Sequence, residues 1–280
     1  MQRPTLKYQT NLKYKNPRSR NDGTLIDNNS WRVLTKVPKL TFYFWIIKIL
    51  TTAVGESTSD YLVHRFNPYL AVGLGFIILL IGLFIQFYAR IYIAWCYWLA
   101  ALTVSIAGTM GADVVHVGFG VPYLISALFY AVLLAIVFIY WYKSEGTLSI
   151  HSVHTRKREL FYWAAVLVTF ALGTATGDLT AYTMSLGYFT SGVIFIILFA
   201  IPAIAYWLFD LNAIFAFWVA YILTRPLGAS FADWSAKPQS FGGLGKGDGL
   251  VSLVLFVLIV IFVGYLTITR KDTQKQGTKG

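Results

Sequence analysis

The chain has 280 residues, of which 57% are hydrophobic and only 12% are charged. Soluble domains carry roughly 25% charged residues, so this composition excludes an ordinary soluble protein and indicates an integral membrane protein. The formal net charge of +11 would also suit nucleic acid. Because the basic residues lie mainly outside the apolar runs, where anionic lipid headgroups attract them, we predict no nucleic-acid partner.

The chain begins with a polar segment rich in Asn, Lys, Arg and Thr. It contains no short apolar core followed by a cleavage site, so we predict no signal peptide. Its composition predicts a basic, largely disordered cytoplasmic tail over residues 1–38. A second basic cytoplasmic tail is predicted over residues 271–280.

Eight runs of about 20 mostly apolar residues follow the first tail, and each predicts a transmembrane helix. They lie near residues 40–60, 68–89, 91–113, 121–142, 160–182, 187–208, 211–233 and 250–269. Most of the 23 basic residues precede the first run, lie between the fourth and fifth runs or follow the last. The positive-inside rule therefore predicts that both termini are cytoplasmic.

One motif recurs four times: a Trp is followed ten residues later by a Gly and five residues after that by an Asp. The instances are Trp45/Gly55/Asp60, Trp98/Gly108/Asp113, Trp163/Gly173/Asp178 and Trp218/Gly228/Asp233. A period of about 55 residues indicates an internal repeat. The predicted repeats within the transmembrane domain, 39–270, cover about 40–89, 91–142, 160–208 and 211–269.

Each repeat contains one motif helix and one plainly apolar helix, so it crosses the membrane twice and every repeat enters with the same orientation. The predicted fold is an all-α integral membrane protein, with four parallel two-helix repeats around an axis along the membrane normal. From the helix rise, the Gly lies about 15 Å and the Asp about 22 Å beyond the Trp. The Gly lets neighbouring helices approach closely, and Pro226 predicts a kink in the last motif helix.

Carboxylates inside transmembrane segments are costly and mark functional sites. We predict that they converge, in one ring or in two facing pairs, and bind a metal cation and protons; the predicted ligands are Asp60, Asp113, Asp178, Asp233 and Glu56. The predicted supporting polar residues are Lys48, Thr52, His116, Thr174 and Arg225.

The five acids in the spans outnumber the two bases there, Lys48 and Arg225. If all these groups were ionised, the excess negative charge would be unstable in a low-dielectric interior. Either a bound cation or protonation of some of the acids must therefore compensate it. Carboxylate and hydroxyl oxygens suit hard divalent ions. We expect Lys48 and Arg225 to neutralise Glu56 or an Asp, and a role in transport is the alternative. Cys96 is the only cysteine, which excludes an intrachain disulfide, and no cofactor is predicted.

Three segments that carry the motif resemble a bacterial family of uncharacterised membrane-anchored proteins built from a transmembrane repeat of unknown function. They read FYFWIIKILTTAVGESTSDYL (42–62), FYWAAVLVTFALGTATGDLTAY (161–182) and FWVAYILTRPLGASFADW (217–234). The resemblance covers about residues 36–270 and implies a multi-pass protein of the bacterial inner membrane. It implies no particular substrate.

A second resemblance is to small calcium/manganese-type cation exchangers, whose helices carry Glu-x-Gly-Asp-Lys/Arg-Thr/Ser. Gly177-Asp178 matches the Gly-Asp pair, whereas Leu179 replaces the basic residue. The comparison is therefore consistent with an acid-lined cation passage, but the mismatch at Leu179 does not support homology.

We therefore predict a secondary transporter, not an enzyme, that exchanges a small cation for protons, with a divalent metal as the predicted cation. Its predicted partners are the lipid bilayer, the cation and protons, and homo-oligomerisation stays open. Two alternatives also remain. One is an intramembrane aspartyl hydrolase, in which two facing carboxylates share a proton. The other is a membrane sensor or scaffold that transports nothing.

Overall fold

The computed structural model describes residues 35–273, so the predicted tails 1–38 and 271–280 lie for the most part outside the described residues. Within that range the chain forms helices and no strands. The eight α-helices are α1 (Phe42–Arg65), α2 (Pro68–Tyr88), α3 (Ala94–Asp113), α4 (Tyr123–Glu145), α5 (Arg156–Asp178), α6 (Tyr188–Phe209), α7 (Ala213–Ala236) and α8 (Asp248–Thr269).

The helices α3 and α5 each continue into one turn of π-helix directly after the motif Asp. These turns are Val114–Gly118 and Leu179–Thr183, and short 3₁₀ turns lie at Ile150–Ser152 and Gln239–Phe241. The helix α7 continues through Pro226 without interruption. Two of the four motif helices therefore change their winding at the Asp, while α1 and α7 remain α-helical past it.

Seven of the eight helices, α2 to α8, are long and apolar enough to cross a membrane. The exception, α1, is as long as α7 but carries Lys48, Glu56, Asp60 and several Ser and Thr residues. Most of these polar side chains are buried. The prediction of eight apolar spans is thus confirmed for seven, and α1 is too polar because it supplies much of the polar interior.

The four motif helices form a ring. The helices α1 and α5 each pack against both α3 and α7, and the remaining helices lie outside: α2 packs on α3, α4 on α5, α6 on α7 and α8 on α1. The second helix of each repeat therefore packs on the motif helix of the next repeat. Buried positions make up 61% to 67% of the apolar stretches of α3, α5 and α7, but only 17% to 28% of those of the outer helices.

The motif glycines lie at the contacts between ring helices. Each glycine packs against the residue seven positions after the Trp of the following repeat. The glycine of the fourth repeat packs against that residue of the first repeat. The pairs are Gly55–Ser105, Gly108–Phe170, Gly173–Arg225 and Gly228–Thr52. An added Cβ would lie 1.8 to 2.7 Å from the partner side chain, so a larger residue would push the helices apart. This arrangement agrees with the predicted packing role of glycine.

Aromatic residues form a second set of contacts around the ring. Each motif Trp follows an aromatic residue, and that residue contacts the Trp of the next repeat. The pairs are Phe44–Trp98, Tyr97–Trp163, Tyr162–Trp218 and Phe217–Trp45, with ring centroids 5.4 to 6.1 Å apart. These distances are typical of favourable aromatic pairs. The tryptophans therefore join neighbouring repeats, a role that the sequence pattern does not indicate.

Four segments meet at the end of the ring nearest these aromatic residues, and we call this end the basic end: residues 35–39, 89–93, 146–155 and 270–273. The backbone N–H groups of Lys36, Tyr92 and Lys39 donate hydrogen bonds to the carbonyl oxygens of Val153 (2.8 Å), Thr35 (3.2 Å) and Asp272 (2.8 Å). The start and the end of the described chain are thus tied to the loops after α2 and α4. The motif aspartates lie toward the opposite end of the ring helices.

Candidate cation site in the helix ring

Arg225 of α7 lies in the interior of the ring and is only 1% exposed. Its guanidinium donates to the Glu56 carboxylate of α1 and to the Thr109 hydroxyl of α3. It also donates to Thr174 Oγ1 of α5 at 2.8 Å and to the Thr52 carbonyl of α1 at 3.4 Å. One side chain therefore connects all four ring helices, and Glu56 supplies the opposite charge that a buried guanidinium requires.

Three carboxylates meet next to this network, and we call them the acidic cluster: Glu56, Asp60 and Asp233. One oxygen from each lies within 4.8 Å of the oxygens of the other two. Glu56 and Asp60 are one helical turn apart on α1, and α7 brings Asp233 to the same place. Carboxylate oxygens are ligands that hard cations prefer, and these three are close enough to share one ion.

Lys237 lies directly after α7, beside the acidic cluster. Its ammonium forms an ion pair with Asp60 and lies 3.8 Å from Asp233 Oδ1 and 3.6 Å from Asp248 Oδ1. Burial lowers the pKa of Lys237, but the carboxylates of Asp233 and Asp60 raise it by more, so its pKa lies above the ordinary value. The ammonium thus supplies positive charge where the acidic cluster would hold a cation.

Asp113 and Asp178 lie at the ends of α3 and α5, close to the acidic cluster. Asp113 accepts a hydrogen bond of 3.3 Å from the Ser59 hydroxyl of α1. Both aspartates lie near enough to Glu56 and Asp60 that the ionised forms of these carboxylates would repel one another. The five predicted acids thus lie at one end of the ring, and among residues 35–273 Glu56, Asp60 and Asp233 are the ones close enough to share an ion.

The remaining predicted polar residues have different surroundings. Lys48 Nζ lies 4.0 Å from the ring centroid of Phe170 and 4.2 Å from that of Tyr221, and it forms no ion pair within residues 35–273. Aromatic faces rather than a carboxylate surround it, so the expectation that Lys48 neutralises Glu56 or an Asp is wrong. His116 lies in the π-helical turn after Asp113, and its Nδ1 is 3.0 Å from Ser126 Oγ of α4. Neither residue joins the acidic cluster, whereas Thr52 and Thr174 contact it through Arg225.

A family model described as Repeat of Unknown Function (DUF347) matches four successive segments of the chain, residues 43–92, 96–147, 161–211 and 216–272. These segments cover well over half of its length. The chain belongs to this family. The matches confirm both the four-fold repeat and the predicted family resemblance. No curated protein and no solved structure shows significant similarity to the chain.

The four DUF347 repeats differ at the positions that line the ring. Seven residues after the Trp they carry Thr52, Ser105, Phe170 and Arg225. Eleven residues after it they carry Glu56, Thr109, Thr174 and Ala229. The fourth repeat thus provides the guanidinium, and the other three provide the groups that surround it.

Two residues of the site are missing from the sequence prediction. Thr109 becomes visible when the DUF347 repeats are aligned on their Trp, because it occupies the same position as Glu56 and Thr174. Lys237 follows Asp233 by four residues, a spacing that predicts an ion pair on a helix. The sequence instead suggests a loop residue outside the membrane, since Lys237 lies beyond the last motif span.

Proposed function

We propose that this protein is a secondary transporter that exchanges a small cation for protons, and that this cation is a divalent metal ion. The observation that carries the proposal is the convergence of Glu56, Asp60 and Asp233, with oxygens within 4.8 Å of one another, inside a ring of helices. Carboxylates this close in a poorly hydrated interior cannot all remain ionised without compensating positive charge.

The balance of charge supports cation exchange. The five acids of the ring face three bases, Lys48, Arg225 and Lys237, so full ionisation leaves an excess of negative charge. A divalent cation removes that excess when it binds, and protons remove it when the cation leaves. Asp113 and Asp178, beside the acidic cluster, would be proton carriers in this exchange.

The proposed topology has eight crossings, with the polar helix α1 shielded from lipid by its neighbours in the ring. The four repeats would be parallel and related by an axis along the membrane normal. The basic end would then face the cytoplasm of a bacterial cell, in keeping with the positive-inside rule. The acidic cluster would lie in the outer half of the membrane.

Flux through proteoliposomes tests the proposal. Wild-type protein should take up Mn²⁺ when a pH gradient is imposed, and Asp60→Asn and Asp233→Asn should each reduce the initial rate by about tenfold or more, because each loses a charged ligand. Asp210→Asn is the matched control, since it makes the same change at an exposed position between α6 and α7. Wild-type rates in both cluster variants would contradict the proposal, and a folded wild type without flux would favour the sensor or scaffold.

The hydrolase alternative requires two carboxylates that share one proton. The ammonium of Lys237 forms an ion pair with Asp60 and lies 3.8 Å from Asp233 Oδ1, so a positive charge rather than a shared proton already lies beside these two carboxylates. The arrangement therefore favours cation binding over acid–base hydrolysis.

A further inference from the structure

A basic pocket of about 630 Å³ lies at the basic end, where the start of the described chain meets the loops after α2 and α4. Its lining includes four basic side chains, those of Lys36, Arg90, His154 and Arg156. Tyr88 and Ile93 also line it. The pocket lies at the opposite end of the ring from the acidic cluster. It is therefore separate from the proposed transport site.

The basic groups of this pocket are not fully neutralised by the protein. Lys36 pairs with the buried carboxylate of Glu159 at 2.5 Å. Arg90 and Arg156 are exposed, and neither forms an ion pair within residues 35–273. His154 Nδ1 is buried and has no hydrogen-bond partner among the described residues. The pocket thus presents positive charge and an unused polar nitrogen, which suits an anion.

The backbone adds to this preference. Ile93 is the N-cap of the 20-residue helix α3, and no side chain of the described residues caps that helix end. The free N–H groups and the positive end of the helix dipole attract anions. Arginine guanidinium groups bind phosphate oxygens in a matching two-point geometry.

The surface beside the pocket is apolar. Leu80, Phe84 and Tyr88 follow one another at intervals of four residues on α2, and their side chains are 66%, 71% and 81% exposed. Residues with this spacing share one face of a helix, so the face leads directly to the pocket. A free phosphate ion would gain nothing from it, whereas the acyl chains of a lipid would cover it.

We propose that this pocket binds the phosphate of an anionic phospholipid headgroup. Arg90 and Arg156 contact the phosphate oxygens, and the acyl chains lie along the exposed face of α2. Basic pockets between transmembrane helices are known to hold acidic lipid headgroups. This inference goes beyond the proposed transport function and does not depend on it.

Lipid binding to the purified full-length chain tests the inference. Native mass spectrometry in detergent should show phosphatidylglycerol bound to the wild type in preference to phosphatidylcholine. Arg90→Gln combined with Arg156→Gln should weaken phosphatidylglycerol binding by roughly tenfold or more. Lys39→Gln combined with Lys143→Gln is the control, because it removes the same charge from exposed residues near the basic end but outside the pocket. Arg90→Gln alone should give a smaller loss, and it replaces the double variant if that variant does not fold.

Three results would overturn the inference. Equal loss in the two double variants would show general charge attraction instead of a site. Equal binding of phosphatidylcholine would show that the acidic headgroup is not recognised. Displacement of the lipid by millimolar inorganic phosphate would identify a site for a soluble anion.

Discussion

Arg225 is the residue through which the four repeats are held together in the interior of the ring. A buried guanidinium costs several kcal/mol unless charge and hydrogen bonds compensate it. Glu56 provides the charge, and Thr109 and Thr174 provide hydroxyl oxygens from two further repeats. Glu56 therefore has two functions, since it also belongs to the acidic cluster.

Removing the guanidinium should destabilise the fold. Arg225→Met leaves the Glu56 carboxylate buried without its partner, so we expect the free energy of unfolding to fall by about 3–5 kcal/mol. Adding Glu56→Gln should recover part of the loss, because the unpaired charge is then absent. Thermal unfolding in detergent measures both effects, with Arg65→Met, at an exposed position, as the control. Unchanged unfolding in Arg225→Met would show that the ion pair does not hold the ring.

Lys237 should compete with the transported cation. Because Lys237→Met removes a positive charge from the acidic cluster, we expect Mn²⁺ to bind the variant roughly tenfold more tightly or better. Because the pKa of Lys237 is raised, its side chain remains a charged ammonium at every pH below the ordinary lysine pKa. Its ion pairs therefore contribute fully at neutral pH and are lost only as the pH rises through that raised pKa. The difference in affinity should accordingly persist up to about pH 9.

Calorimetric titration of Mn²⁺ measures the effect of Lys237→Met. Lys246→Met is its control, since Lys246 lies exposed in the same loop. Equal affinities for the wild type and Lys237→Met would show that the ammonium does not occupy the cation position.

The ring helices depend on glycine at their closest contacts. At Gly228 a Cβ would lie 1.9 Å from Thr52 Oγ1 and 2.9 Å from the Ile49 carbonyl oxygen. Gly228→Ala should therefore force α1 and α7 apart and lower the free energy of unfolding by about 1–3 kcal/mol or more. Gly73→Ala is the control, because a Cβ there meets nothing within 4 Å among the described residues.

The unfolding temperatures of the two glycine variants give a direct comparison. Gly73→Ala should be neutral or slightly stabilising, since Ala favours the helix. If both substitutions had the same small effect, the close approach of α1 and α7 would not be essential to the fold.

Most of the helices could be predicted from sequence, because seven of the eight described α-helices, α2 to α8, coincide with apolar runs of membrane length. The polarity of α1 could also be seen, since its acids, hydroxyl residues and Lys48 recur at intervals that place them on one face. The π-helical turns after Asp113 and Asp178 could not. The turn after Asp113 packs against α4, and the turn after Asp178 packs against α4 and α6; a local residue pattern does not encode such contacts.

The ring arrangement of the whole molecule was only partly accessible from sequence. The recurring Trp, Gly and Asp predict four repeats, and the family match confirms them. The packing of each outer helix on the next repeat depends on contacts between distant segments. The convergence of Glu56 and Asp60 of α1 with Asp233 of α7 likewise depends on contacts between the first and the fourth repeats.

Direct binding of Mn²⁺ to purified protein, followed by electron paramagnetic resonance, is the measurement closest to the central claim. The wild type should bind Mn²⁺ more weakly as the pH falls, because protons compete for the same carboxylates. The double variant Asp60→Asn/Asp233→Asn should lose that binding while remaining folded. Mn²⁺ binding by this variant equal to that of the wild type, or no binding by a folded wild type, would contradict the account.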